Sequence, residues 1–386
     1  MHAEMKILVL GGAGAMGAVT VRDLAQSPDV SNVIIGDVSV ARANQLKNSI
    51  GSEKVSVTRI NVSNRSGLVE AMKEADAVAN STPFNLNVQI MKAAMKAGRN
   101  LTDLGGVYYT TLEQLELNEE AKEAGIAVVP GCGLAPGTAD ILAKYGADKL
   151  DAVDEVHIKY GEVNLTPVKY KWSFRTVLEE YTTGPVVYRN GEYKKLVPFS
   201  GKQVVKFPGA IGELTCCYGL YSGVATLPRT IGKGVKVVDC LMVHSEEDEQ
   251  RIKVLNEMGL TSNEPIDFRG EKISPKEFLL RIAPPPDAEA KDVAGVIVEV
   301  TGMKSGERAR CIYSVVLPYH EKYGVSALAY LTGVPLSIAG QMLAKGEISD
   351  LGVLPPEAAV KPKPFFAELS KRGIEINETL ETTRTL

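Results

Sequence analysis

The chain has 386 residues, enough for two domains at about 100–200 residues each, and 45% hydrophobic against 23% charged residues is an ordinary globular balance. A net charge of −4 offers no basic face, which argues against nucleic-acid binding. No apolar run approaches the ~18–20 residues that cross a bilayer, and the N-terminus enters a strand with no leader, so no membrane partner is expected and the expected setting is cytoplasmic. The five cysteines are odd in number and fit no zinc or CxxC spacing; they read as reduced thiols. With four histidines besides, no metal site is expected.

The first 150 residues alternate between two hydrophobic periods. Buried-strand runs occur at MKILVLGG (5–12), NVIIGD (32–37), VSVTRINV (55–62), DAVANST (76–82), NLTDL (100–104) and IAVVPG (126–131). Helix-period segments separate them at 15–26, 40–50, 66–75, 85–98 and 111–125, several ending at glycine. This alternation predicts right-handed βαβ units: a Rossmann-type, doubly wound parallel sheet with helices on both faces, an α/β fold. The rhythm changes near residue 151. VDEVHIKYGEV (153–163), GVIVEVTG (295–302) and RARCIYSVVLPYH (308–320) read as strands, the last two joined by a turn containing Lys304, Ser305 and Gly306. EEDEQRIKVLNEMG and SPKEFLLRI read as helices, so the middle region is a second, α+β domain with a largely antiparallel sheet. Beyond Tyr323 the pattern is helical again, with a polar tail from about Asn377.

The segment Gly12-Ala13-Gly14-Ala15-Met16-Gly17 is GxGxxG. It follows an apolar strand, opens a helix and precedes Asp37 by 20 residues at the end of the second strand. That context is the dinucleotide fingerprint. Gly12 permits the tight turn, Gly14 admits the pyrophosphate to the backbone, and Gly17 packs helix on strand. Ala15 and Met16 begin the helix whose free N–H groups face the phosphates. Asp37 suits the ribose hydroxyls and repels a 2′-phosphate, which points to NAD as cofactor. Arg42 either reaches a phosphate or is a solvated helix residue. Val62 is expected near the adenine, Asn80, Ser81, Thr82 and Pro83 near the ribose and pyrophosphate, and Leu104 among the cofactor-binding residues.

Ligands of such sheets bind beyond the carboxyl ends of the strands. Asp103 stands at such an end, so it is a candidate general base facing the nicotinamide; it can equally cap the turn at Gly105-Gly106. In the middle region, YKWSFRTVLEEYTTGPVVYRNGEY (170–193) holds the single tryptophan. Arg175 suits a bidentate grip on a substrate carboxylate, with Trp172 and Ser173 beside it and Glu180 placed to meet the substrate α-ammonium. The bland reading is a surface arginine beside a half-buried tryptophan. Tyr160 and His320 are further catalytic candidates, and Cys132 in its GCG turn reads as a small packing residue.

GGAGAMG, GDVSVARA, ADAVANSTPF, LTDLGG, GCGLAPG (131–137), KWS (171–173) and TGVPLSIAGQMLAKG with GVLPPE resemble the saccharopine dehydrogenase superfamily over nearly the whole chain, and within it most the lysine 6-dehydrogenases. The resemblance implies a dinucleotide-binding domain over 1–133 completed by C-terminal helices in 324–386. It also implies a substrate-binding and dimerisation domain over 134–323, in a homodimer or higher homo-oligomer. It implies oxidative deamination of a small-molecule substrate, L-lysine, at the ε-carbon, giving the semialdehyde, ammonia and NADH. Reductive C–N bond formation of the saccharopine or carboxynorspermidine kind is the alternative, with Lys169, Lys171 and Arg229 available as extra cationic anchors. A non-catalytic NAD-binding sensor is a third reading.

Overall fold

The computed structural model describes residues 5–167, 173–284 and 290–384. Trp172, Lys169 and Lys171 therefore lie outside the described residues. The chain opens with strands β1 (Met5–Leu10), β2 (Val30–Asp37), β3 (Val55–Arg59), β4 (Ala77–Asn80), β5 (Asn100–Asp103) and β6 (Ala127–Val129). Helices α1 (Ala15–Gln26), α2 (Val40–Ile50), α3 (Arg65–Lys73), α4 (Asn87–Ala97), α5 (Tyr108–Glu116) and α6 (Asn118–Glu123) connect them. The segment expected as one helix over 111–125 is thus two. β1 shows why the sheet is covered on both faces. Ile7 and Val9 enter one apolar cluster with α1 and α2, while Leu8 and Leu10 enter another with α3 and α4.

The second domain begins with α7 (Thr138–Asp148), β7 (Ala152–Asn164), α8 (Phe174–Thr182), β8 (Val186–Arg189), β9 (Glu192–Lys195), β10 (Gln203–Phe207) and β11 (Gly212–Tyr218). It continues through α9 (Gly223–Ile231), β12 (Val237–Val243), α10 (Glu246–Glu257), the small hairpin β13 (Ile266–Phe268) and β14 (Glu271–Ile273), α11 (Pro275–Ile282), β15 (Asp292–Lys304) and β16 (Glu307–Pro318). The long hairpin β15–β16 turns at Ser305-Gly306, as the sequence suggests. The main path of this sheet runs β10-β11-β12-β7-β15-β16, antiparallel except for the β12–β7 pair.

The last elements are α12 (Ala327–Ala344), β17 (Gly352–Val353), α13 (Pro356–Ala359), α14 (Pro362–Lys371) and β18 (Asn377–Thr383). They return to both domains. α12 packs on α1, where the Thr20 hydroxyl donates to the Gly333 carbonyl at 2.8 Å, and β17 joins β6. Among the described residues the first sheet has the order β17-β6-β5-β4-β1-β2-β3, all parallel, with its switch between β1 and β4. Two expectations change here. The polar tail is not loose: β18 pairs antiparallel with β16 and completes the second sheet. α12 is one helix through Pro335, long and apolar enough to pass as a membrane span by composition, contrary to the sequence reading. Nearly all of it is buried in this fold, which is why its polarity shows no face.

Candidate functional site

A single cleft of about 1280 Å³ runs along the carboxyl ends of β1, β2 and β4 and continues across to β7, α8 and α10. At the first end, α1 begins directly after Gly14, which sits extended at φ −80° and ψ 172° and offers no side-chain cap. The first N–H groups of the helix are thereby left for a ligand. A Cβ on Gly17 would lie 2.4 Å from the Gly11 carbonyl oxygen and 2.5 Å from Ser81 Oγ. One on Gly12 would lie 3.0 Å from the Val9 carbonyl oxygen. These two glycines are packing positions off the cleft wall, and Gly14, Ala15 and Met16 are the ones that line it.

Asp37 is buried at the end of β2 and lines the cleft. It accepts from Ala13 N–H at 3.1 Å and Ser39 N–H at 2.9 Å. One bond per oxygen leaves each a lone pair for a ribose hydroxyl. The Arg42 guanidinium, largely exposed, stands 4.0 Å away. Val62, Ser81, Thr82, Pro83 and Leu104 line the cleft as expected. Asn80 does not. It is fully buried, accepts from Thr82 N–H and Oγ1 at 3.0 and 2.7 Å, and donates to Asn87 at 3.0 Å, so it shapes the turn that carries Ser81 and Thr82. The bare helix start, the open Gly14 and the free lone pairs of Asp37 together fit an adenine dinucleotide.

The catalytic part expected of Asp103 does not survive. Its carboxylate has no solvent exposure and turns away from the cleft. It accepts from Gly105 N–H at 2.6 Å, Gly131 N–H at 3.0 Å and Gln114 Nε2 at 2.7 Å. Three donors occupy it, and burial pushes its proton affinity up against them. It ties the ends of β5 and β6 together, which is the capping alternative in a stronger form. His320 is also displaced from chemistry. Its ring stacks on Tyr330 at 3.8 Å and 11°, its Nδ1 accepts from Tyr323 N–H, and it lines no part of the cleft. Cys132 is buried, with its thiol pushed up to about 12 by burial, as suits a packing residue.

The second-domain wall carries Tyr160, Glu162, Ser173, Arg175 and Glu180. Tyr160 donates its hydroxyl to Glu162 at 2.5 Å, and burial holds that phenol well above its usual range. Arg175 faces the cleft but is already engaged, with both terminal nitrogens on Glu277 of α11 at 2.8 and 2.7 Å. Its fork therefore meets a protein carboxylate where the sequence suggested a substrate one. Arg229 lies exposed on α9, away from the cleft. Glu162 escaped the sequence reading. It stands two residues from Tyr160 on the same strand and so on the same face, a period-two signal that would have found it.

A dinucleotide cradle opening onto the wall of a second domain defines the protein as a nucleotide-dependent oxidoreductase. Residues 7–129 match the Saccharopine dehydrogenase NADP binding domain and residues 133–374 the Saccharopine dehydrogenase C-terminal domain: the chain belongs to the saccharopine dehydrogenase family. A carboxyaminopropylagmatine dehydrogenase of Synechocystis is 24% identical over 97% of this chain and 98% of its own length. A carboxynorspermidine synthase of Vibrio cholerae is 26% identical over 96% of each. The apo saccharopine dehydrogenase (L-Glu forming) of Saccharomyces cerevisiae shares the fold at a TM-score of 0.73, with 20% identity over 98% of this chain and 100% of that one.

Proposed function

We propose that the protein oxidises the terminal C–N bond of L-lysine with NAD, releasing ammonia and the ε-aldehyde. One observation carries this reading: the cleft lined by Gly14 and Asp37 in the first domain is lined by the carboxylates Glu162 and Glu180 in the second. An acidic substrate wall suits a molecule presenting a free ammonium. Asp37 favours the unphosphorylated ribose of NAD, and Arg42 beside it leaves room for secondary NADP use. Assembly as a homo-oligomer is proposed alongside, on the resemblance, and a cytoplasmic setting on the cysteine pattern.

The bound nicotinamide would supply the hydride acceptor. The chain has to supply a neutral amine, because a protonated nitrogen has no lone pair with which to form the imine. An alkylammonium holds its proton with a pKa of ~10.4, so neutralising it at pH 7 costs about 4–5 kcal/mol at ~1.36 kcal/mol per unit. Burial in the cleft lowers that cost, and an acceptor for the proton has to stand on its wall.

A second reading is reductive joining of an amine to an aldehyde, and the near-full-length likeness to the Vibrio cholerae carboxynorspermidine synthase favours it. The near-ultraviolet absorbance of reduced nicotinamide tests both. The protein is assayed with NAD or NADP against lysine, ornithine, diamines and saccharopine, then in reverse with a diamine and a semialdehyde. Lysine-dependent NADH supports the first reading. Turnover only in the reductive direction moves the assignment to the second, and cofactor binding without turnover of any amine makes the protein a sensor.

A further inference from the structure

We infer that Cys217 captures aldehydes: with His244 behind it as proton shuttle, its thiol adds reversibly to the carbonyl carbon of an aldehyde held in the cleft. The inference rests on the proposed reaction in one respect, that an aldehyde is formed in the oxidative direction and consumed in the reductive one. In the step, an S–C bond forms and the π pair of the carbonyl moves onto its oxygen. The S–H bond breaks, and its proton passes through His244 Nδ1 to that oxygen. The adduct is a thiohemiacetal. No electrons are lost or gained overall, no co-reactant is consumed, and the adduct reverts by the same path.

Three functional groups from separate parts of the chain meet here. Cys216 and Cys217 are successive residues of β11, so their side chains leave opposite faces of the sheet. Cys216 packs into the apolar cluster of Val205, Phe207 and Leu241. Cys217 lines the cleft, and of the five cysteines it is the only one that does. His244 follows β12, the strand that pairs with β11 and sets Met242 across from Cys217. Its backbone N–H donates to the Thr215 carbonyl at 2.9 Å, and its Nδ1 stands 3.8 Å from the Cys217 sulfur. Its Nε2 stands 2.9 Å from Glu249 Oε2 of α10, at an angle too bent for a hydrogen bond. The imidazole is sealed from solvent, with the Phe199 ring packed edge to face at 5.6 Å.

Glu249 also takes Lys202 at 2.7 Å and Lys253 at 2.5 Å, so it stays ionised at neutral pH. A carboxylate beside Nε2 favours the tautomer with its proton there, which leaves the Nδ1 lone pair facing the thiol. Burial pushes the thiol up to about 11 and lowers the proton affinity of the imidazole, so both are neutral at rest. The proton therefore leaves sulfur only as the S–C bond forms, in the manner of a hydroxyl activated by an adjacent imidazole. Met242 and Gly219 line the cleft alongside Cys217. That apolar approach suits a neutral carbonyl over a charged iminium.

The test uses the full chain with iodoacetamide and pentanal, an aldehyde that carries no amine and requires no cofactor. Limiting iodoacetamide on the folded protein, followed by mass mapping of the cysteine peptides, should alkylate Cys217 ahead of the other cysteines. Saturating pentanal should slow that alkylation roughly tenfold or more, and pentan-1-ol should not. With pentanal carbon-13-labelled at the carbonyl, the wild type should show a tetrahedral-carbon resonance distinct from that of the hydrate, and Cys217→Ala should lack it. His244→Gln keeps the thiol and removes the shuttle, so its adduct should form roughly tenfold or more slowly. Another cysteine alkylated first, or no protection by pentanal, would overturn the inference on wild-type protein alone. So would a resonance that persists in Cys217→Ala, or an adduct that forms as fast in His244→Gln. A pentanal adduct on Cys217 in a protein that neither oxidises nor joins amines would instead overturn the proposed reaction and keep the site.

Discussion

The Asp103 carboxylate and the Gln114 side-chain amide lie 2.7 Å apart, both sealed from solvent. Gln114 Oε1 has no hydrogen-bond partner among the described residues, so the amide can turn over if its neighbour changes from acceptor to donor. Asp103→Asn should therefore be mild: the retained oxygen keeps the Gly105 and Gly131 amides, and the new amide donates to the flipped Gln114. Asp103→Ala strands three buried donors and should cost about 2–5 kcal/mol in a denaturant titration. A well-folded Asp103→Asn protein whose turnover drops about 100-fold would return this residue to the chemistry.

The two cleft-end glycines should separate packing from binding. Gly17→Ala places a Cβ 2.4 Å from a backbone oxygen and 2.8 Å from the Gly12 Cα, so α1 must move off the sheet. We expect roughly 1–3 kcal/mol of lost stability together with lost dinucleotide binding. Gly14→Ala meets only the Gly11 oxygen at 3.2 Å and should fold normally. Its methyl intrudes where the pyrophosphate approaches the backbone, so NAD affinity should still fall about tenfold or more. Equal melting temperatures for the two variants would contradict this division.

Cofactor choice should turn on one side chain. Asp37→Ser removes the charge opposed to a 2′-phosphate and frees Arg42, 4.0 Å away, to approach it. NAD affinity should fall and NADP affinity rise, with the preference ratio moving by about tenfold or more. Titration of both cofactors against wild type and variant checks this. An unchanged ratio would mean that Arg42 already sets the preference.

The dinucleotide half was legible because its signal is local. Gly12 to Asp37 spans one strand-helix-strand unit, and each residue type there answers a backbone or phosphate requirement. The substrate half was less so, because its partners are distant in sequence. Arg175 finds Glu277 102 positions on, and nothing near KWSFR announces it. Asp103 shows the limit of reading a strand end: the sequence places the carboxylate at the right edge, but only the fold shows that the amides of Gly105 and Gly131 reach it first. β18 was hidden for another reason. All seven residues of NETLETT are exposed, so no alternation of polarity marks the strand.

Acid stability should depend on Glu249. Its carboxylate takes Lys202 at 2.7 Å and Lys253 at 2.5 Å, and these bonds hold it down to about 2 against an ordinary 4.5. A carboxyl depressed in the folded state stabilises fully above its unfolded value and loses that contribution as pH falls through the folded one. Wild type and Glu249→Gln should therefore differ by a constant amount in unfolding free energy above about pH 5, and the gap should close between 4.5 and about 2. Both lysines are well exposed, so high salt should narrow the gap at every pH. Thermal unfolding across that range is the measurement. Curves that stay parallel down to pH 2 would show that the lysines hold Glu249 equally well in the unfolded chain.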